Sequence, residues 1–145
     1  MLLEPRAENY AVIDHAIAVF GPGLNLLTGE TGAGKSILVD ALALLMGSKA
    51  SSDVVRHGTD RAVVSCVFES TCGAEAILEA NGIDAEGSEI ILRREILGNG
   101  KGRVYVNNQP MLLDNQIGTV VPANSIKHYQ PVYSINEHNW WLHTQ

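Results

Sequence analysis

The feature that most constrains this chain is a glycine-rich octapeptide at residues 29–36, Gly-Glu-Thr-Gly-Ala-Gly-Lys-Ser. It matches the pattern Gly-x-x-x-x-Gly-Lys-[Ser/Thr] at every fixed position. Glycines at this spacing let successive amide N–H groups turn inward around an anion. Such a loop requires an apolar strand before it and a helix after it, and residues 24–27 and 36–46 have the composition for both. The octapeptide therefore predicts a phosphate-binding loop rather than a strand-to-helix turn without a ligand.

The residues of this loop have distinct predicted roles. The binding residues are Gly29, Glu30, Thr31, Gly32, Ala33, Gly34, Lys35 and Ser36. Lys35 is expected to reach the β- and γ-phosphates of a nucleotide as a mobile positive charge, and the Ser36 hydroxyl is a predicted Mg²⁺ ligand. The positive end of the following helix adds about 0.3–1 kcal/mol for a nearby negative charge. The loop therefore predicts a nucleoside triphosphate with Mg²⁺ as its ligand.

Length, charge and cysteine content limit the other classes of protein that fit this chain. Its 145 residues amount to about one domain, and 46% of them are hydrophobic, which is enough for a core. The net charge of −6 argues against a broad basic surface for nucleic acid or membrane. Cys66 and Cys72 are too few for a disulfide framework. No apolar run reaches the ~18 residues of a membrane span and no signal-peptide pattern is present, so a cytoplasmic protein without a membrane partner is expected.

Hydrophobic periodicity predicts a strand-rich chain with one helix directly after the loop. The predicted strands lie at residues 1–10, 11–20, 24–27, 61–69, 89–97 and 102–107, the predicted helices at 36–46 and 74–80, and the predicted turns at 98–101 and 107–110. The first helix is apolar on all sides apart from Asp40, which predicts burial on most of its faces, and Gly47 is its predicted stop. Pro5 predicts that the first strand is an edge strand or is broken at that residue.

Three classes of phosphate-loop protein compete for this pattern. A GTPase requires Asp-x-x-Gly after a hydrophobic strand; residues 84–87 fit the motif but follow a turn, and Asn-Lys-x-Asp is absent from the sequence. A small-molecule kinase alternates helices with parallel strands after the loop, whereas hairpin signals follow here. The head of an ATP-binding cassette (ABC) ATPase surrounds its loop with a mixed β lobe that contains hairpin strands. The sequence favours this third class.

Six stretches around and beyond the loop carry a specific resemblance. They lie at residues 8–14 (Glu-Asn-Tyr-Ala-Val-Ile-Asp), 21–25 (Gly-Pro-Gly-Leu-Asn), 27–42, 55–58 (Val-Arg-His-Gly), 93–96 (Arg-Arg-Glu-Ile) and 102–107 (Gly-Arg-Val-Tyr-Val-Asn). With these stretches the chain resembles the start of the RecN family of bacterial DNA repair proteins, in the SMC-like branch of ABC ATPases. The resemblance covers about residues 1–112, and it is specific because the flanks match as well as the loop.

The resemblance implies a fold, ligands and partners. The fold would be an α/β P-loop NTPase of the ABC/SMC head type, its N-terminal lobe only, with a mixed, largely antiparallel sheet around one phosphate-loop helix. The ligands would be ATP and Mg²⁺, and the role would be repair of DNA double-strand breaks and recombination. The partners would be the C-terminal half of the same head, a second head as a homodimer, and DNA. The family is cytoplasmic and associated with the nucleoid.

Two residues outside the loop have alternative interpretations under this resemblance. Arg56 follows the phosphate-loop helix, where SMC-like heads often carry an arginine near the nucleotide, and it is included among the predicted cofactor-binding residues. The alternative is an arginine exposed in a loop. Tyr10 either approaches the adenine or is a tyrosine of the core, and the sequence favours the core.

The resemblance ends near residue 112, which divides the chain into a predicted lobe at residues 1–112 and an atypical, irregular tail at 113–145. Gln130 is the nearest candidate for the glutamine that contacts Mg²⁺ in the family. Asp114 follows three apolar residues, but Asn115 stands where a general-base glutamate is needed. A signature motif and heptad repeats are also missing, so no catalytic residue is assigned and turnover by this chain alone stays open. The alternative interpretation is a truncated, non-catalytic remnant without activity of its own.

Basic residues concentrate only around the predicted 98–101 turn. They are Arg93, Arg94, Lys101 and Arg103. They either contact DNA phosphates or belong to a solvated hairpin, and the hairpin is favoured because Arg93 and Arg94 alternate to opposite faces of a strand. The five histidines share no metal-ligand spacing.

Overall fold

The computed structural model describes residues 1–30, 35–45, 47–85, 87–111 and 140–143. Its strands are β1 (Leu2–Tyr10), β2 (Ile13–Ile17), β3 (Leu24–Leu27), β4 (Arg61–Glu69), β5 (Glu89–Leu97), β6 (Gly102–Val106), β7 (Gln109–Met111) and β8 (Trp140–His143). Its helices are α1 (Lys35–Leu45), α2 (Cys72–Ala80) and a short 3-10 helix over Ser52–Val54. Neither described α-helix is long and apolar enough to cross a membrane.

Six strands form one sheet in the order β2-β1-β4-β5-β6-β7, and every described pairing is antiparallel. A second, two-stranded sheet pairs β3 with β8, also antiparallel. The strand β8 lies in the segment where the sequence predicted an irregular tail, so that prediction was wrong for Trp140–His143. The largely antiparallel arrangement with one helix directly after the loop is the one that the sequence predicted.

The core lies between the six-stranded sheet and the two helices. Because side chains alternate along a strand, β4 turns Ala62, Val64 and Cys66 to one face, where all three are buried. The register places Ile96 opposite Ala62, and both belong to one core cluster with Leu44 of α1. A second cluster packs α2 against β5 and β6; its buried members are Ala74, Leu78, Ile83, Ile90, Leu92 and Val106.

Pro5 lies in an interior strand, so the prediction of an edge strand was wrong. The strand β1 has β2 on one side and β4 on the other, and Pro5 lies opposite Cys66 in the register. The carbonyl of Pro5 accepts a bond from the Ala18 N–H at 3.0 Å, just beyond the end of β2, so the missing N–H of Pro5 faces the segment that follows this strand. The register of β1 against β4 shifts between Leu2 and Glu4, next to the proline. Proline is tolerated inside a sheet at such an irregularity.

The helix α1 is less buried than its sequence predicted. Only Ala41 and Leu44 are buried among its residues, while most of its other apolar side chains are half-buried. The sheet contacts α1 through β1, β4 and β5 on one side. A helix that is apolar all round therefore keeps part of its apolar surface accessible in this chain.

The helix α1 ends, and the helix α2 begins, at residues that form caps. The N–H of Gly47 donates to Leu44 at 3.2 Å and the N–H of Ser48 to Ala43 at 3.1 Å, which is the Schellman arrangement. Gly47 has φ +98°, a value that favours glycine, so the predicted stop is confirmed. The helix α2 begins two residues earlier than predicted, because the hydroxyl of Thr71 accepts from the Ala74 N–H at 3.3 Å and caps it.

Candidate phosphate-binding site

The strand β3 leads into the predicted phosphate loop, and α1 begins at Lys35 on its other side. The strand-to-helix context that the motif requires is therefore present. Gly29 and Glu30 are exposed at the start of the loop, and Gly29 has φ +154°. The predicted binding residues Thr31, Gly32, Ala33 and Gly34 lie outside the described residues.

The side chain of Lys35 reaches back across the loop. Its ammonium donates a hydrogen bond to the carbonyl oxygen of Gly29. This bond connects the first residue of α1 with the first residue of the predicted loop. The bond places the positive charge of Lys35 beside the predicted loop. A phosphate oxygen is negatively charged and is therefore a stronger acceptor for this ammonium than the neutral carbonyl of Gly29. The lysine is half-buried, and the geometry suits an ammonium that binds a ligand's phosphates.

The N-terminal end of α1 suits an anion. Ser36, the second residue of the helix, is exposed, and its hydroxyl is accessible to a ligand. The first turn of α1 contains no acidic residue, so no carboxylate of its own neutralises the positive end of the helix dipole. Ile37 and Leu38 pack against two different core clusters and attach this end of the helix to the sheet.

Arg56 contacts both strands of the β1–β2 hairpin, and its partner in β2 is acidic. Its N–H donates to the Asn9 carbonyl at 2.9 Å, and its Nη1 lies 2.5 Å from Oδ1 of Asp14 in β2. Both side chains are partly exposed, Arg56 at 38% and Asp14 at 77%. Sequence reasoning missed Asp14, because 42 residues separate it from Arg56. The placement of Arg56 near a nucleotide stays a prediction.

Tyr10 belongs to the core, as the sequence favoured. It is 4% exposed and packs in one cluster with Ala7, Ala41 and Leu44. Asn9 has φ +50°, and this left-handed residue interrupts the alternation of β1, so Tyr10 follows Ala7 to the inner face. Burial raises the pKa of the Tyr10 hydroxyl, and the carboxylate of Asp40 raises it further.

The basic residues of the β5–β6 hairpin do not form one patch. Arg94 is buried on the helix side of the sheet, whereas Arg93 lies on the other side, as the alternation predicted. The guanidinium carbon of Arg93 lies 4.3 Å from the centre of the Tyr105 ring, and Nη2 lies 3.4 Å from Oε1 of Glu95. Glu95 is itself buried, and its Oε2 lies 3.6 Å from Nη1 of Arg61. Sequence reasoning missed this buried carboxylate, which offsets part of the positive charge.

Three further positions that the sequence analysis considered lie outside the described residues. They are Gln130, Asp114 and Asn115. Within the part of the chain that the structure describes, no three His, Cys, Asp or Glu side chains come close enough to hold a metal ion together.

Comparisons with known proteins place this chain in a family. Its sequence matches the family described as AAA domain over residues 7–121. The DNA repair protein RecN of Halalkalibacterium halodurans is 41% identical over 115 residues, which cover 78% of this chain and 20% of that protein. RecN of Xylella fastidiosa strain Temecula1 is 34% identical over 146 aligned positions, which cover 100% of this chain and 25% of that protein.

Solved structures show the same fold. An Smc head domain of Pyrococcus furiosus, with an extended coiled coil and bound to the C-terminal domain of ScpA, superposes with a TM-score of 0.68 at 18% identity. The alignment covers 84% of this chain and 32% of that chain. The recombination mediator protein RecF with ATP superposes with a TM-score of 0.58 at 23% identity, over 77% of this chain and 27% of that chain. At these identities the likeness concerns the fold alone, and it confirms the predicted N-terminal P-loop lobe of the SMC head type.

The chain spans about a fifth to a quarter of the length of the curated relatives it matches, 20% of one RecN and 25% of the other. The family match covers most of its residues, and the flanks that resembled the RecN family lie within the aligned part. The chain therefore belongs to the AAA-domain family, as a RecN-like N-terminal segment.

Proposed function

We propose that residues 29–36 bind Mg-ATP and that the chain is the nucleotide-binding part of a RecN-like ATPase that acts in repair of DNA double-strand breaks and in recombination. The observation that carries the proposal is the complete octapeptide between β3 and α1, with the ammonium of Lys35 at the loop. The relatives bear the name DNA repair protein, which supports the biological role.

The described residues fit both ligands. The ammonium of Lys35 suits the β- and γ-phosphates, and the exposed hydroxyl of Ser36 suits Mg²⁺, which prefers oxygen ligands. Mg²⁺, when bound, would offset part of the negative charge of the phosphates. The positive end of α1 favours the same anion. Arg56 is a further proposed contact of the nucleotide, and it would exchange Asp14 for a phosphate or the base.

We propose that the C-terminal half of the same head covers the apolar surface around β3. On β3 itself, Leu24 is exposed at 56% and Leu26 at 48%, and Val19 in the connection before β3 is exposed at 75%. Patches of this kind mark interaction sites. A second head and DNA are partners proposed from the resemblance, and the lobe boundary near residue 112 is proposed on the same basis.

We propose further that the chain binds ATP without rapid turnover of its own. The sequence contains no Asp-Glu pair after an apolar run, and Asn115 stands where the general base is needed. This absence favours the non-catalytic alternative for the isolated chain and leaves the binding proposal unchanged.

The test is an equilibrium titration of the 145-residue chain with a fluorescent ATP analogue in the presence of Mg²⁺. Loss of the ammonium in Lys35→Ala should weaken binding about tenfold or more, since a charged hydrogen bond contributes ~1.5–3 kcal/mol. The matched control is Lys49→Ala, which removes an exposed lysine just beyond α1 and should leave affinity within about twofold. Equal binding by the wild type and Lys35→Ala would refute the proposal.

A further inference from the structure

Arg94 is a charged residue on an otherwise apolar face. The neighbouring positions of β5 on this face are Ile90, Leu92 and Ile96, and all three are buried. Arg94 is only 6% exposed, and burial lowers the pKa of its guanidinium. A buried cation is unfavourable unless hydrogen bonds replace its lost water. The contacts of Arg94 therefore indicate what this cation does.

The guanidinium of Arg94 binds the C-terminal end of α1. Its Nη1 donates to the carbonyl of Leu44 at 2.6 Å and to the carbonyl of Ser48 at 2.7 Å. A cation at this end also interacts favourably with the helix dipole. The last turn of α1 contains no basic residue, so the cation at this end comes from the sheet.

Arg94 is not needed to end the helix. The N–H groups of Gly47 and Ser48 already close α1 locally, through the carbonyls of Leu44 and Ala43. The Leu44 carbonyl thus accepts two bonds, one from its own helix end and one from β5. Since the local cap is complete, the bonds of Arg94 have a different consequence, which is to attach α1 to the sheet.

The attachment affects both ends of the helix, because α1 is a short rigid rod. Its 11 residues span about 16 Å, with Lys35 and Ser36 at the end opposite Arg94. Near that end Ile37 and Leu38 pack by apolar contacts, which are non-directional and tolerate sliding and rotation. Hydrogen bonds are directional, so the bond to Leu44 of α1 and the bond to Ser48 just beyond it restrain the helix along its axis and in rotation.

We propose that Arg94 is a positioning residue for the phosphate loop: by holding the C-terminal end of α1 on β5, it fixes where Lys35 and Ser36 meet the phosphates. The inference rests on the proposed function, since its readout is nucleotide binding. Arg94 contacts no nucleotide and acts through the helix.

The test compares Arg94→Met and Arg94→Lys with Arg93→Met. The control, Arg93→Met, removes a guanidinium from the residue just before Arg94 in β5, on the other face of the sheet. For each folded variant, the readouts are the affinity for the fluorescent ATP analogue and the rise in melting temperature that the analogue causes above that variant's own melting temperature. Arg94→Met should weaken binding about tenfold or more, because a small displacement of binding groups has large effects. Arg94→Lys should recover part of the affinity, and Arg93→Met should stay within about twofold of the wild type.

A merely structural role gives a different result. It would lower the melting temperature of the Arg94 variants while their affinity and ligand-induced rise matched the wild type, and this outcome overturns the inference. If Arg94→Met does not fold, Arg94→Lys decides by the same two readouts. Absence of binding by the wild type would overturn the proposed function and this inference with it, whereas binding by the wild type that is lost only in Lys35→Ala overturns the inference alone.

Discussion

The buried thiol of Cys66 shows how the core acts on a single side chain. Cys66 is 1% exposed and packs in a cluster with Leu2 and Phe20. Burial raises the pKa of this thiol from its ordinary value of 9.0 to about 12, because the thiolate loses its hydration. Cys72, the other cysteine, is exposed at the start of α2.

This raised pKa predicts a loss of stability in alkaline solution. Above pH 9 the unfolded chain releases the Cys66 proton while the folded chain keeps it up to about pH 12, so the free energy of unfolding falls as pH rises. The slope for this one group approaches about 1.4 kcal/mol per pH unit. Urea unfolding between pH 7 and about 11 measures it. Cys66→Ala should flatten the slope and Cys72→Ala should not; equal slopes in the wild type and Cys66→Ala would contradict this explanation.

At the scale of residues, local signals were predictable and distant partners were not. The stop of α1 at Gly47 and the position of Lys35 and Ser36 at the start of this helix follow from patterns of a few consecutive residues. The binding roles of Lys35 and Ser36 stay predictions. Asp14 pairs with Arg56 over 42 residues and Arg94 reaches the Leu44 carbonyl over 50. Such pairs depend on strand order and register, which no local pattern specifies.

The β6–β7 turn joins three elements through one side chain. Asn107 has φ +47°, its side-chain Oδ1 accepts from the Ile91 N–H at 2.9 Å, and its side-chain Nδ2 donates to the Asp84 carbonyl at 3.0 Å. The turn thereby connects β5 with the loop that follows α2. Asn108, the second turn residue, has φ +63°.

Asn107→Gly should lower the free energy of unfolding by about 1–2 kcal/mol, since it removes two hydrogen bonds while glycine keeps the left-handed backbone favourable. Thermal or urea unfolding measures the change. Asn108→Gly is the control, because it makes the same backbone change at the adjacent left-handed position. If both variants had the same stability, the two side-chain bonds of Asn107 would contribute nothing.

At the scale of elements, the sequence predicted strands well where one face is buried, as in β4 and β5, because the alternation is then regular. It overestimated β2, predicted over residues 11–20 and observed at Ile13–Ile17, since exposed apolar residues such as Val12 and Val19 extended the pattern. It interpreted residues 107–110 as a turn, although only the first two form one and β7 begins at Gln109. The position of Pro5 depended on strand order, which periodicity does not contain.

At the scale of the whole molecule, an apolar surface on β3 stays accessible among the residues that the structure describes. Leu24 and Leu26 alternate to the same face of β3 and are both about half exposed, at 56% and 48%. An exposed apolar strip of this kind promotes self-association when nothing covers it.

The double variant Leu24→Ser, Leu26→Ser should therefore associate less than the wild type while its free energy of unfolding changes by about 1 kcal/mol or less, because both side chains are already half exposed. Sedimentation velocity measures association, and urea unfolding measures stability. Leu44→Ser, at a buried position of α1, should instead cost about 2–5 kcal/mol. Unchanged association in the double variant would show that the chain does not self-associate through Leu24 and Leu26.

The central claim is that the loop binds the phosphate tail of a nucleotide, and competition tests it most directly. Tripolyphosphate, ATP, AMP and adenosine would each be titrated against the fluorescent ATP analogue bound to the wild-type chain in Mg²⁺. Because the ammonium of Lys35 and the N-terminal end of α1 select charge, tripolyphosphate and ATP should displace the analogue, while AMP and adenosine should need at least about a hundredfold higher concentrations. Displacement by adenosine or AMP as readily as by ATP, with tripolyphosphate inert, would contradict the claim.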